Sequence, residues 1–225
     1  MEIKVLKKVL DVNEKMAAEN RAAFQALNLF VVNVMSSPGS GKTTLLEKTL
    51  VALKDEYKCG VVVGDICTTR DADRLMQAGD VPVTQICTEP FGGDCHLAAH
   101  VVMDAARQLD LQGLDVLIIE NVGNLVCPAE FDIGEDKRVV VLSVTEGEDK
   151  PLKYPLMFRV CDAAVLSKTD LLPHLDYDRD FAIQCIQEVN APMRVFPLSA
   201  RSGDGLGPWL EWLKLEIGKK KEAVQ

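Results

Sequence analysis

Residues 36–43 read Ser-Ser-Pro-Gly-Ser-Gly-Lys-Thr, a glycine-bearing turn that ends in a lysine and a hydroxyl. Such a turn can wrap a polyphosphate. Its glycines let backbone N–H groups close around an anion without Cβ clashes. A helix beginning here aims the positive end of its dipole at the same anion. On this reading Pro38, Gly39, Ser40, Gly41, Lys42, Thr43 and Thr44 cradle a nucleoside triphosphate. Lys42 reaches the β- and γ-phosphates, and the Thr43 hydroxyl ligates Mg2+. The pattern G-x-x-x-x-G-K-[ST] places glycine where this chain has Ser36; at the end of a strand a small residue can suffice.

Two acids end apolar runs. Glu120 follows residues 116–119 and opens Glu120-Asn-Val-Gly123, in the place of a D-x-x-G element that supports Mg2+ and senses the γ-phosphate. Asp65 follows residues 61–64, placed to hold an Mg2+-bound water or to orient an attacking one; Asp71 and Asp73 are weaker candidates for the same region. Lys42, Asp65 and Glu120 are thus the candidate catalytic residues. The reaction would be in-line attack by water on the γ-phosphate, resting on positioning and charge stabilisation. No arginine finger is identifiable. Ser167-Lys168-Thr169-Asp170 resembles the guanine-recognition element N-K-x-D of GTPases, with Ser167 in the place of Asn. The Asp170 carboxylate would accept from the N1–H and exocyclic amine of guanine, donors that adenine does not present. Lys168 would lay its aliphatic stem along the base. Ser199-Ala200-Arg201 resembles the last GTPase element, whose backbone N–H meets guanine O6. GTP is therefore expected over ATP.

A second group of residues suits a soft metal ion. Residues 89–100 read Glu-Pro-Phe-Gly-Gly-Asp-Cys-His-Leu-Ala-Ala-His. Asp94 reads as a helix N-cap, which puts Cys95 in the first turn, where the dipole favours thiolate. His96 and His100 are four apart and would share a helical face. Cys127-Pro128 lies in the loop that starts at Glu120. Thiolate and imidazole ligands suit Zn2+ or Ni2+. Cys95, His96 and Cys127, with His100 as a further candidate, do not close a tetrahedron securely within one chain; a site shared across a two-fold dimer would supply the missing ligands.

These residues must be carried by an alternation of strands and helices. Apolar β-type runs cover 29–35, 59–63, 83–86, 116–119, 138–144, 163–166 and 194–197. Amphipathic helical stretches cover 3–27, 73–78, 94–109, 178–190 and 209–217. Strands buried on both faces and linked by helices imply an α/β fold, a mainly parallel sheet with helices on each side. Residues 1–27 are expected as an N-terminal helix on or beside a nucleotide-binding domain of residues 28–225. Ligands of such folds bind beyond the carboxyl ends of the strands, where each motif above falls.

Composition excludes other classes. The 225 residues carry a net charge of −9, which argues against broad affinity for nucleic acid or an anionic membrane. No apolar run approaches the roughly 20 residues that span a bilayer, and the first ten residues lack the apolar core of a signal peptide; a cytoplasmic location is expected. Seven cysteines, an odd number spread through strands and helices, make a poor disulfide framework. Apart from Cys95 and Cys127 they read as structural, with Cys67 close to the nucleotide but without a partner in sequence.

Taken together, the residues resemble the HypB family, the nickel-insertion GTPases of [NiFe]-hydrogenase maturation. The resemblance runs over nearly the whole chain. It is carried by residues 17–21 (Ala-Ala-Glu-Asn-Arg), 36–43, 64–73 (Gly-Asp-Ile-Cys-Thr-Thr-Arg-Asp-Ala-Asp), Cys95-His96, 120–128 (Glu-Asn-Val-Gly-Asn-Leu-Val-Cys-Pro) and 167–170. It implies a Rossmann-like P-loop NTPase of the SIMIBI class that dimerises on binding GTP. It also implies a Ni2+ or Zn2+ site from Cys95, His96 and Cys127 near the dimer interface, His100 being added from helical spacing. The implied partners are a HypA-type zinc protein, for which the N-terminal helix is a plausible docking surface, and the hydrogenase large-subunit precursor. The cysteine-rich or histidine-rich N-terminal metal motif of many members is not present, so a storage role is disfavoured. Rival readings are a urease-type nickel or a CobW-type zinc metallochaperone GTPase, a P-loop small-molecule kinase, and a metal buffer with a structural P-loop. The urease type's Cys-Pro-His and the CobW type's dense cysteine cluster are not seen here.

Overall fold

The computed structural model describes residues 4–65, 68–88 and 95–222. Seven strands are found among them: β1 Phe30–Ser36, β2 Cys59–Asp65, β3 Val83–Cys87, β4 Val116–Gly123, β5 Lys137–Ser143, β6 Ala163–Ser167 and β7 Arg194–Pro197. All pair in parallel, in the order β3-β2-β4-β1-β5-β6-β7. Every strand expected from the sequence forms, with ends moved by no more than four residues; the largest change is β4, which runs on through Glu120 to Gly123. The helices are α1 Lys4–Ala26, α2 Lys42–Leu53, α3 Arg70–Gly79, α4 Ala99–Ala106, α5 Lys150–Lys153, α6 Pro155–Val160, α7 Arg179–Val189 and α8 Leu206–Glu222. Parallel strands need crossovers, and helices supply them on both faces.

The alternation of side chains along β1 shows how the layers divide. Val32 and Val34 face a core built with Leu45, Leu50, Leu75 and Trp209, that is, under α2, α3 and α8. Val31 faces the opposite layer with Phe24 of α1 and Val102 of α4, while Met35 meets Phe158 and Ile186 under α6 and α7. A strand buried on both faces leaves no polar side, which is why residues 29–35 read as one apolar run. Trp209 is 1% exposed and its indole N–H donates to the Thr49 hydroxyl at 3.0 Å, so the largest buried side chain has its polar atom satisfied. No helix among the described residues is long and apolar enough to cross a membrane.

One expected helix is corrected. The stretch 94–109 is not a single helix: α4 spans only Ala99–Ala106, and Cys95 and His96 lie in a bend before it. Leu97 is pulled into the core beneath Gly64, where an added Cβ would come within 2.9 Å of its methyl carbons. Burial of that leucine, worth about 2 kcal/mol, is gained by leaving helical geometry. The N-cap at Asp94 lies outside the described residues.

Helix α1 lies along α4 and meets a tight turn at residues 132–136. Gly134 has φ of 92°, and a Cβ there would stand 2.7 Å from Asn20 Cβ and 2.8 Å from the Ala17 carbonyl oxygen. Gly134→Ala therefore combines left-handed strain with a backbone clash, and a loss of about 2–4 kcal/mol is expected. Denaturant unfolding measures it; a change under about 0.5 kcal/mol, the range of an ordinary surface substitution, would show that α1 does not press on the turn.

Candidate functional site

The phosphate loop leaves the carboxyl end of β1 at Ser36 and enters α2 at Lys42. Gly39 and Gly41 take φ of 72° and 99°, a left-handed geometry that side chains resist and that lets successive N–H groups face one concavity. Ser36 is fully buried at the strand end, as its small size permits. Its hydroxyl donates to the Ser37 carbonyl at 2.7 Å and accepts from Lys42 Nζ at 3.0 Å. The residue that departs from the glycine of the pattern thus parks the lysine.

Lys42 and Thr43 converge on Glu120. The Thr43 hydroxyl donates to Glu120 Oε1 at 2.8 Å, and Lys42 Nζ lies 4.0 Å from the same oxygen. Glu120 is 3% exposed and its second oxygen, Oε2, is buried without a hydrogen-bond partner. Burial pushes the Glu120 carboxyl up from 4.5 to about 7, against the pull of Lys42 and the Thr43 hydrogen bond. Burial likewise lowers the Lys42 ammonium, against the attraction of Glu120. A hydroxyl, a buried carboxylate with an unsatisfied oxygen and the nearby Asp65 are oxygen donors of the kind Mg2+ takes, with water completing the octahedron. The residues fit that ion. Asp65 ends β2 on the same rim, and its Oδ2 accepts from the Thr68 hydroxyl at 2.7 Å.

Two cavities open here. One of about 460 Å3 is lined by the loop 38–44 with Asp65, Asp71, Arg74, Glu120 and Lys168. The other, of about 500 Å3, continues past Gly41 and Thr44 to Lys168, Asp170, Ser199, Ala200 and Arg201. Lys168 borders both. It holds φ of 60° and donates from Nζ to the Gly39 carbonyl at 2.7 Å. Ser167 donates to the Ser40 carbonyl at 2.5 Å. The departure from Asn therefore still ties β6 to the phosphate loop, through a hydroxyl in the place of an amide. Asp170 is oriented by the Ser199 hydroxyl, which donates to its Oδ1 at 2.6 Å. The first cavity suits a triphosphate, and the second a flat base with paired donors.

Residues the sequence reading passed over also line or brace this site. Arg74 donates to the Thr44 hydroxyl at 3.0 Å and pairs with Glu47 at 2.7 Å. Glu146 accepts from the Ser37 hydroxyl, the Ser143 N–H and Lys150, bracing the loop from the side of β5. Asn33 could have been noticed as the lone amide in an apolar strand. It accepts from Asn121 Nδ2 at 3.1 Å and donates to Glu135 at 3.1 Å. Nothing in the sequence marks Glu146 or Arg74.

From Glu120 the chain runs through a bulge. Val34 pairs with Glu120, but Ser36 pairs with Gly123, so β4 carries an extra residue. Beyond it lies a 3-10 turn, Cys127–Glu130. Cys95 and Cys127 meet there, with 2.7 Å between sulfurs. Contact with Cys95 and burial push the Cys127 thiol up. His96 stacks on Phe131 with ring centroids 3.7 Å apart, beside the pair. His100 does not join them. Because 95–98 is not helical, the four-residue spacing does not put His96 and His100 on one face; His100 is exposed and lines a groove with α1 residues Met16 and Glu19. Among the described residues no three His, Cys, Asp or Glu side chains converge as a metal-ligating cluster. One chain contributes a thiol pair. Of the other cysteines, Cys59 and Cys161 are buried, and burial raises both thiols, Cys59 to about 12; such thiols are inert. Cys67 lies outside the described residues.

Comparison with known proteins adds four findings. Residues 30–197 match the family described as CobW/HypB/UreG, nucleotide-binding domain. The hydrogenase maturation factor HypB of Azotobacter chroococcum mcd 1 is 52% identical over 223 residues, covering 98% of this chain and 71% of that protein. The crystal structure of HypB from Helicobacter pylori in complex with nickel superposes with a TM-score of 0.84 at 41% identity, covering 95% of this chain and 97% of that one. A fold-level likeness extends to the signal recognition particle receptor FtsY from Elizabethkingia anophelis, TM-score 0.57 at 17% identity, over 89% of this chain and 72% of that one.

The buried acid yields a pH prediction for the nucleotide-free protein. A carboxyl raised from 4.5 to about 7 stays protonated in the fold after the unfolded chain has lost its proton. Stability therefore falls as pH rises through that window, by up to about 3 kcal/mol. Glu120→Gln removes the titration, although Lys42, Asp71 and Arg74 still face the position. The stability of wild type relative to the variant should drop between pH 5 and pH 7, as read by denaturant unfolding; parallel profiles would mean the carboxylate is ionised throughout.

Proposed function

The chain belongs to the HypB family of hydrogenase maturation factors, and from that membership we propose that it is a GTP hydrolase that handles nickel for assembly of a [NiFe] centre. One observation carries the reading. A phosphate-sized cavity and a base-sized cavity join at Lys168, and the acid beneath the first begins the segment that ends in a thiol pair.

In this reading the loop 38–44 binds the phosphates through its N–H groups, and Lys42 leaves Ser36 to meet the β- and γ-oxygens. Lys168 covers the base, and Asp170, held by Ser199, accepts from the two guanine donors. The backbone at Ser199 and Ala200 meets the base oxygen. Mg2+, when bound, would supply charge neutralisation at the phosphates; Thr43, Glu120 and Asp65 would hold it. Asp65 and Glu120 orient water for attack on the γ-phosphate, and positioning with charge stabilisation supplies most of the acceleration.

The thiol pair is the cargo site. Two sulfurs per chain are half of a tetrahedral or square-planar set. A two-fold dimer that brings two pairs together completes it, with His96 beside each pair. Glu120–Gly123 forms the end of β4, and Cys127 follows four residues later. Gly123 backs onto the phosphate loop so closely that an added Cβ would meet Pro38 Cα at 3.1 Å. A shift of the loop on binding or losing the γ-phosphate must therefore be felt by the segment leading to Cys127. The partners in this reading are a HypA-type protein and the hydrogenase large-subunit precursor, acting on a cytoplasmic homodimer.

Two experiments test the proposal. Asp170→Asn should weaken GTP binding at least about a hundredfold, because the site then faces the guanine donors with an amide N–H; GTP affinity within a few-fold of wild type would remove the guanine reading. Nickel titrated into protein loaded with GDP or with a non-hydrolysable GTP analogue should give different affinities or different dimerisation, and by linkage nickel should shift nucleotide affinity by the same factor. Equal affinities and equal dimerisation would separate the two sites and leave a nucleotide-binding protein with an unrelated thiol pair.

A further inference from the structure

Helix α1 reaches the thiol pair at one remove. Asn13 and Asn20 are seven residues apart, about two helical turns, so one face carries both. They are 6% and 4% exposed. Asn13 Oδ1 accepts from the Ala99 N–H at 2.9 Å, and its Nδ2 donates to the Asp132 carbonyl at 2.7 Å. Asn20 Nδ2 donates to the Ala99 carbonyl at 2.7 Å and to the Ile133 carbonyl at 3.0 Å. Each asparagine thus grips the same two pieces of backbone. One piece comes from Cys95, four residues before Ala99; the other comes from Cys127, five residues before Asp132. Arg21 adds an ion pair with Asp132, one guanidinium nitrogen (Nη2) donating to both carboxylate oxygens at 2.8 Å.

Packing α1 on the body does not need these amides. Ala17 and Phe24, each 1% exposed, already bury its apolar face. A buried amide is costly unless its groups are bonded, and apolar residues of similar size would pack without that risk. What the two amides specify, and apolar side chains would not, is the separation of the two backbone segments. We propose that Asn13 and Asn20 are positioning residues that hold Cys95 and Cys127 at a fixed separation, so that α1 sets how firmly the thiol pair grips a soft divalent ion. The inference rests on the thiols being ion ligands. The clamp has a further anchor in the central strands. The turn it holds includes Glu135, whose carboxylate accepts from the Ile133 N–H and from Asn33; Asn33 in turn accepts from Asn121, next to Glu120.

The test uses the full chain and Co2+ as a spectroscopic probe, reading the thiolate-to-cobalt charge-transfer band. Asn13→Ala and Asn20→Ala should each bind Co2+ about tenfold to a hundredfold more weakly, the usual effect of loosening a ligand's support, while affinity for a fluorescent guanine nucleotide stays at the wild-type value. Cys95→Ser separates the two layers of the argument. If it keeps the full band and affinity, the thiol pair is not the ion site, and the reading beneath the inference fails. If it loses the band while both asparagine variants bind as wild type does, the positioning inference alone is overturned. Should either asparagine variant fail to fold, Arg21→Ala, which leaves both amides in place, is expected to show a smaller loss in the same direction. A metal-free readout accompanies it: bridging of Cys95 to Cys127 by dibromobimane, mapped by mass spectrometry. Unchanged bridging with unchanged Co2+ affinity in Arg21→Ala would overturn the inference.

Discussion

Strands β1 and β4 lie side by side and parallel in the middle of the sheet, Phe30–Val34 against Val116–Glu120 in unbroken register. Parallel neighbours release their chains at the same end. The phosphate loop and the segment that starts at Glu120 therefore emerge together, and neither can move without meeting the other. Everything chemical in the molecule follows from that adjacency. It brings Thr43 and Lys42 onto the Glu120 carboxylate, and it sets Gly123 against Pro38. The apolar burial on both faces of these strands makes the pairing rigid, so that movement is left to the loops beyond.

The acid inside β4, three residues before its end, carries a cost. Its desolvation is incompletely repaid by one hydroxyl and a lysine held at 4.0 Å, and one of its oxygens has nothing to accept from. A structure that keeps such a group is set to receive charge, since a divalent ion or a rearranged lysine would satisfy the spare lone pairs. Asn33, Asn121 and Glu135 form a second buried polar chain on the other side of the same strands. It continues through the 132–135 turn to α1. Strand β4 at Asn121, the 132–135 turn and α1 are thus joined by hydrogen bonds through an otherwise apolar layer. Such chains are rigid when every member is bonded, and they transmit a displacement where a liquid-like core would absorb it.

Much of this was legible in residue types. The alternation of apolar runs with amphipathic stretches gave away a parallel sheet, because strands covered on both faces have no polar side to show. The phosphate loop, Asp170 and Ser199–Ala200 stand out in the sequence because each is a local motif whose chemistry needs neighbours in sequence, and the structure gathers them along two adjoining cavities. Cys95 and Cys127 were legible as a pair from residue chemistry alone, although 32 residues separate them. The error at 94–109 has a simple source. Helical periodicity there is real from Ala99 onward, but Leu97 is drawn into the space beneath Gly64, and no local pattern announces a tertiary vacancy. For the same reason His96 and His100 do not share a helical face.

What the chain by itself determined was the inventory: which residues can bind phosphate, discriminate a base or hold a soft ion, and the order in which strands and helices carry them. Those follow from short-range physics, the reach of a side chain and the period of an element. The tertiary structure alone decided which of these act together. It put Ser36 and Ser167, both departures from the usual motifs, into hydrogen bonds with Lys42 and the Ser40 carbonyl. It set the thiols in contact while moving His100 away, and it gave Asn13 and Asn20 their partners at residues 99, 132 and 133. Hydrogen bonds across 79 to 119 residues of chain have no signature in composition or periodicity, because an amide that will bond a distant backbone looks in sequence like any other amide.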